Sequence, residues 1–340
     1  VIGTEPARLE ERECKSLGHP HKIAAMNSTV ANPVAGRVSD RAIGFFLAAL
    51  GAVLFSGKAI VVKFTYDYGV DAVTLIAFRM LFSLPFFAVI GWRQSRRAAR
   101  GEIAVLTRKE GVKVVILGLI GYYLSSFLDF LGLRYISVGL ERLILFLAPT
   151  LVLLITAFWL KRTIAPRQWM ALFLSYAGVV LVFAHDMTQT SHDAVLLGSA
   201  FVFASALSYA LYLIGSGELV KRVGSIRLTA YAMSVSSIAC LIQFFLVHTP
   251  STLVQPAGFY GLSLVHATVN TVLPVFMIMG AVSRIGPPMA AQLGMLGPVS
   301  VLFLAYWFLG EPITSWQLAG TGLVLAGIFV LTGRVRATAK

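Results

Sequence analysis

Residues Ala148–Phe183 read A-P-T-L-V-L-L-I-T-A-F-W-L-K-R-T-I-A-P-R-Q-W-M-A-L-F-L-S-Y-A-G-V-V-L-V-F. From Gly297 the chain reads G-P-V-S-V-L-F-L-A-Y-W-F-L-G-E-P-I-T-S-W-Q-L-A-G-T-G-L-V-L-A-G-I-F-V-L-T. Laid on one another without gaps, Pro149 falls on Pro298, Leu160 on Leu309, Ile164 on Ile313, Gln168 on Gln317, Leu174 on Leu323 and Ala177-Gly178 on Ala326-Gly327. Each copy is two apolar runs of about 20 residues joined by a short polar turn, which is the length that crosses a bilayer as helix. Such a pair, repeated half a chain apart, points to two related helix bundles, a common plan among transporters.

The rest of the chain agrees. Of 340 residues 57% are hydrophobic and 13% charged, where a soluble domain carries roughly 25% charge. The net charge of +13 does not indicate nucleic acid, because the cations sit in short loops between apolar runs, the positive-inside arrangement. Cys14 lies in a polar tail and Cys240 inside an apolar run, so neither a disulfide nor a metal site is expected. His19 and His21 read as tail composition, and Met26 is a candidate natural start.

From Ala42 ten apolar spans are expected, at about 43–64, 70–92, 112–134, 137–160, 166–185, 194–216, 227–248, 257–283, 287–309 and 314–333. Residues 1–41 form a disordered tail in this reading, 42–186 a first five-helix repeat, 194–333 a second, and 334–340 a C-terminal tail. A basic loop at 93–111 holds Arg93, Arg96, Arg97, Arg100, Arg108 and Lys109. Lys161, Arg162, Arg167, Lys221, Arg222, Arg227 and Arg284 lie on the same side. The opposite loops hold Asp67, Asp71, Asp186, Asp193 and Glu311, with few cations beyond Lys63 and Arg134. Both termini are therefore expected in the cytoplasm. Five spans per repeat is odd, so the second copy must enter the membrane upside down. Lys161-Arg162 in one turn and Gly310-Glu311 in the other match that inversion.

The L-G-E-P-I-T-S-W-Q stretch at 309–317, its weaker copy after Pro149, and F-R-M-L at 78–81 resemble the EamA-type members of the drug/metabolite transporter superfamily, over about residues 42–333. The resemblance implies an all-α integral membrane protein with ten transmembrane helices, as two inverted five-helix repeats around a central cavity. It also implies alternating access and, usually, export of small metabolites, in a bacterial inner membrane. The first copy departs from the pattern, with Lys161-Arg162 in place of Gly-Glu.

Charges inside a bilayer are costly, about 3 kcal/mol at mid-span, and so are functional candidates. Lys58, Arg79, Asp129, Glu141 and Arg142 fall inside the first four spans. At 1.5 Å per residue, Lys58, Asp129 and Glu141 lie about 7–10 Å beyond their span midpoints toward the outside, and Arg79 about 3 Å from its own. The matching residues of the second copy, Leu207, Ile278 and Ala290, carry no charge, so the fold itself does not need the cluster. Three readings stay open. The charges bind substrate or a coupling ion, with Asp129 and Glu141 as proton carriers and Lys58 and Arg79 as carboxylate holders. Or they pin helices, as Arg79–Asp129 and Lys58–Glu141 pairs or the crossed pairing. Or they snorkel to the outer surface.

Tyr122, Tyr123, Tyr209, Tyr212, His266, Asn270 and Gln292 are candidates for the cavity wall or for interhelical hydrogen bonds. Pro85, Pro149, Pro274 and Pro298 are candidate kinks. Gly118/Gly121 and Gly294/Gly297 allow close helix approach. No phosphate-binding glycine loop is present, and the faint nucleophile turn at Gly215-Ser216-Gly217 has no placed histidine partner. A secondary transporter is the expectation, with no cofactor or metal, a small-molecule substrate and possible proton coupling. Amino acids are the first guess, and nucleotide sugars or cationic drugs the alternative. An intramembrane enzyme and a non-transporting scaffold are the competing classes.

Overall fold

The computed structural model describes residues 33–159, 161, 163–189, 191–285, 287–294 and 296–332. Residues 1–32, with Cys14, His19, His21 and Met26, and the expected C-terminal tail lie outside them, as does Arg162; residues 33–41, expected as part of a disordered tail, are helical. Asp40–Lys340 is one compact unit. Among the described residues there is no strand.

The described residues begin with α1 (Pro33–Ser56) and α2 (Lys58–Tyr66), separated by a turn at Gly57. Next come α3 (Ala72–Ala99), then α4 (Arg108–Gly118) and α5 (Ser125–Leu133), joined by a π-helical turn at Leu119–Leu124. They are followed by α6 (Val138–Leu145), α7 (Ala148–Trp159), α8 (Pro166–Gln189), α9 (His192–Val223) and α10 (Ser225–Val247). A 3-10 turn at Pro250–Leu253 leads to α11 (Ala257–Ala267) and α12 (Leu273–Ile285), joined by a second π-helical turn at Thr268–Val272. The last helices are α13 (Pro287–Gly294), α14 (Leu296–Leu309) and α15 (Ser315–Thr332).

Among the described residues, eight helical stretches are long and apolar enough to cross a membrane, and two shorter apolar helices, Leu296–Leu309 and Ser315–Val330, follow them. Helices apolar on every side need lipid or protein around them. Leu246 and Trp307 are each 81% exposed, a surface suited to hydrocarbon and not to water.

Polar side chains set where helices start. Asp71 accepts from the Thr74 N–H at 3.0 Å and Ser137 from the Leu140 N–H at 3.2 Å. Gln168 Oε1 accepts from the Ala165 N–H at 2.9 Å, and Gln317 Oε1 from the Thr314 N–H at 3.3 Å. The glutamines that coincide between the two copies therefore do the same job, reaching back to the helix entrance.

Packing uses small residues. α8 lies along α15, and a Cβ on Gly178 would strike the Gly320 carbonyl, while one on Gly327 would strike Ser175 and Ala171. α3 lies along α10, with Met80, Phe87, Met233 and Cys240 in a core that also takes Phe130. α5 lies along α9 and α11 along α2. Gly118 abuts the Ala232 backbone and Gly121 the Tyr212 ring, whereas Gly294 has open space beside it.

Two local features differ from the sequence reading. α3 continues to Ala99, so Arg93, Arg96 and Arg97 ride a helix end and not a loop. Arg96 covers the Trp92 ring at 4.1 Å and Arg97 pairs with Glu102 at 3.0 Å, and cations suit a helix C-terminus. Pro149 and Pro298 stand in the first turns of α7 and α14, where a missing N–H costs little. Pro85 is interior to α3, and Pro274 follows the π-helical turn inside the unbroken helical run Ala257–Ile285, where a proline removes a backbone hydrogen bond.

Candidate functional site

The cluster is assembled where α1 gives way to α2. Arg142 Nη2 donates to the Ser56 carbonyl at 3.3 Å and Asn270 Nδ2 to the Leu54 carbonyl at 2.6 Å. Any Cβ on Gly57 would press on Asn270 Nδ2, at 2.7 Å, so glycine permits this approach. Ser56 Oγ donates to Ala52 O at 2.8 Å and lies 3.1 Å from Gly297 O.

Lys58, at the start of α2, holds two carboxylates from two other helices. Its Nζ lies 2.5 Å from Asp129 Oδ2 on α5 and 3.6 Å from Glu141 Oε1 on α6. Arg142 Nε lies 3.9 Å from Glu141 Oε2. Lys58, Asp129, Glu141 and Arg142 thus form one quartet of two cations and two anions, all buried.

Arg79 on α3 is not in it. Its guanidinium packs on the Phe130 ring at 4.8 Å, and neither of the expected pairings for it with a carboxylate occurs at ion-pair distance among the described residues. Lys58 reaches the same ring at 5.7 Å and His266 stacks on it at 5.5 Å. Phe130 therefore stands among three basic side chains, a role the sequence signalled only by placing it next to Asp129. Nε and Nη2 of Arg79, Oδ1 of Asp129, Nε2 of His266 and Oδ1 of Asn270 are buried without hydrogen-bond partners among the described residues.

The tyrosines form a separate group. Tyr122, in the first π-helical turn, meets Tyr212 of α9 with hydroxyls 3.3 Å apart, and Tyr209 stacks on Tyr212 at 5.7 Å. Tyr123 packs on the edge of the Phe130 core. Seryl groups of α9 support this turn: Ser208 Oγ donates to the Ile120 carbonyl at 2.7 Å and Ser205 Oγ to the Ser125 carbonyl at 2.7 Å. The Gln292 side chain lies outside the described residues.

Two cavities open at the end of the molecule where α2 and α5 stop. One, of about 640 Å³, is bounded by Phe64, Asp67, Tyr68 and Gly258; the other, of about 390 Å³, by Lys63, Asp67, Arg134, Leu309 and Glu311. Neither is lined by the quartet. Tyr66, on the wall of the second, donates to the Phe130 carbonyl at 2.6 Å and links this opening to the buried charges. Burial raises the Glu311 carboxyl above the usual carboxylate range, against the pull of Lys63.

A relative in Bacillus subtilis (strain 168), the uncharacterized transporter YcbK, is 30% identical over 304 residues, covering 87% of this chain and 94% of its own. A second from the same organism, YyaM, is 26% identical over 67% of this chain and 75% of its own. An uncharacterized transporter of Archaeoglobus fulgidus is 23% identical over 83% of this chain and 93% of its own. A protein of known crystal structure shares the fold with a TM-score of 0.56 at 17% identity, over 87% of this chain and 96% of that one. The EamA-like transporter family model matches twice, over residues 42–184 and 196–333. With two such matches in tandem and transporters among its relatives, this integral membrane chain belongs to the EamA-like transporter family.

Proposed function

We propose that the chain is a secondary active exporter of small polar or amphipathic metabolites, working by alternating access, with amino acids the first class to test. In this reading ten spans form two inverted five-helix repeats, 42–186 and 194–333, in a bacterial inner membrane with both termini cytoplasmic. The offset that carries Pro149 onto Pro298 supports the repeat. It carries the π-helical turn at Leu119–Leu124 onto the one beginning at Thr268. It also carries Lys161 onto Gly310, and both have left-handed backbone, φ 47° and 67°. The packing follows the same exchange: α4 on α9 is answered by α11 on α2, and α7 on α9 by α14 on α2.

The observation that carries the functional reading is the buried quartet. Four charges on three helices, α2, α5 and α6, all from the first repeat, are costly to keep in a bilayer and add little stability over apolar packing. Transport gives them a reason to stay: Asp129 and Glu141 exchange protons as their cation partners move, and the shared Lys58 couples the two. Counterflow in proteoliposomes, against a panel of amino acids, nucleotide sugars and quaternary amines, tests this. Exchange of a panel member is expected, and its loss or uncoupling from a proton gradient in folded Glu141→Gln and Asp129→Asn. If both variants exchange at full rate with and without the gradient, the coupling role is wrong. If no solute exchanges, the transport reading itself fails.

A further inference from the structure

We infer that Arg79, with Phe130 and His266 beside it, is a subsite for the carboxylate of an organic anion. The inference rests on the transport reading only in taking that anion to be the solute carried. The starting point is charge. The quartet links two cations to two carboxylates through contacts of 2.5, 3.6 and 3.9 Å, so its formal sum is zero. Arg79 is the cation left over, and it is 5% exposed.

A guanidinium does not discharge its proton to escape burial. Arg79 Nε and Nη2 lack hydrogen-bond partners among the described residues, and these are donors of the planar fork that matches a carboxylate in bidentate fashion. His266 is 1% exposed and its Nε2 is also without a partner. It lies on the same Phe130 ring as Arg79, at 5.5 Å against 4.8 Å. The ring is itself fully buried and gives both basic groups an apolar surrounding. A second polar atom, the free Oδ1 of Asn270, sits one helical turn beyond His266.

The arrangement also says what is not recognised. A substrate ammonium needs a carboxylate without a cation of its own, and both carboxylates here lie within ion-pair distance of Lys58 or Arg142. Binding therefore depends on the acid end of the solute and not on an amine. Deaminated acids compete at least as well as the amino acids of the same skeleton, and decarboxylated amines do not compete.

The test uses the full chain purified in detergent, so that no transport is required. Thermal unfolding is followed with leucine, with isocaproate (its deaminated form), with isoamylamine (its decarboxylated form) and with shorter monocarboxylates down to acetate. At least one monocarboxylate is expected to raise the unfolding temperature, with isocaproate matching or exceeding leucine and isoamylamine inert. Arg79→Gln is expected to weaken the acid's effect by about 30-fold or more in concentration. Arg79→Lys, which keeps the charge and loses the fork, falls between and guards against a folding artefact in the glutamine variant. Protection by the amine, protection unchanged in Arg79→Gln, or no protection from any monocarboxylate overturns the inference. Counterflow of the same compounds separates the two readings. Exchange of amines alone sinks this subsite and leaves a transporter, whereas acid binding without any exchange leaves the subsite and sinks transport.

Discussion

Replacing Lys58 with methionine tests how the quartet is balanced. The change removes the one group that touches both carboxylates. At an effective dielectric of about 20, the attractions over 2.5 and 3.6 Å are about 7 and 5 kcal/mol. Desolvation of the buried ions, several kcal/mol each, offsets most of that. Once the lysine is gone, however, Asp129 and Glu141 remain buried, and among the described residues Arg142 is at ion-pair distance from Glu141 alone; losing one partner of such a pair costs about 3–5 kcal/mol. Adding Asp129→Asn to Lys58→Met removes the orphaned charge and leaves Glu141 with Arg142. The double variant should therefore recover most of the loss. A thiol-reactive dye can follow unfolding in detergent, because Cys240 is only 1% exposed; Cys14→Ser removes the other thiol. The expected order of melting temperatures is wild type, then the double variant close below it, then Lys58→Met well below both. A single variant that melts with wild type, or a double variant that melts below the single, would refute the charge balance described here.

Gly178→Leu should lower the yield of folded protein and cost about 1–3 kcal/mol through overpacking of α8 against α15, read as a loss of the monodisperse peak in size-exclusion chromatography; an unchanged peak would show that the helices can move apart freely. Lys161→Gly should stabilise by about 1 kcal/mol, since Lys161 has φ 47° and a left-handed backbone disfavours a residue with a Cβ, and a fall in the melting temperature would count against it. Asp71→Asn keeps the cap acceptor for Thr74 but loses the negative charge at the start of α3 and beside His248, and should cost about 0.3–1 kcal/mol at neutral pH. Burial pushes the Asp71 carboxyl up, but its Thr74 and His248 contacts outweigh this and hold it below the usual range. A depressed carboxylate stabilises above its unfolded pKa of about 3.9 and loses that stabilisation as pH falls through the folded value. The gap between Asp71→Asn and wild type should therefore close as the pH is taken below the carboxylate range, and a gap constant with pH would refute the assignment.

Eight long apolar spans and a tandem doubling were legible in the sequence because apolar length and an ungapped repeat are linear properties. Gln168 and Gln317 coincide on paper and repeat one another's capping bond in space. The pairing of the charges was not legible. It depends on which way each residue faces around its helix, and a turn at Gly57 and a π-helical turn before Asp129 both change that direction without any local mark in sequence. Hence Lys58 took both carboxylates and Arg79 none. The hydrogen bonds of Asn270 and Arg142 to the Leu54 and Ser56 carbonyls were hidden for the same reason. Exposed backbone acceptors appear only once the start of α2 is known. Tyr122 and Tyr212, candidates on separate spans, meet each other rather than the charges.

The widened turn at Leu119–Leu124 acts as a counting device. Successive residues advance about 100° around an α-helix, and a π turn contains one residue more than its α counterpart. Wind the same residues there as ordinary α-helix, with none deleted, and all of α5 advances by one residue, about 100°. Leu128 would arrive on the bearing that Asp129 now holds, and Lys58 would face an aliphatic chain in place of an acid. The chemistry of the quartet is thus fixed by a tally of residues made nearly two windings earlier.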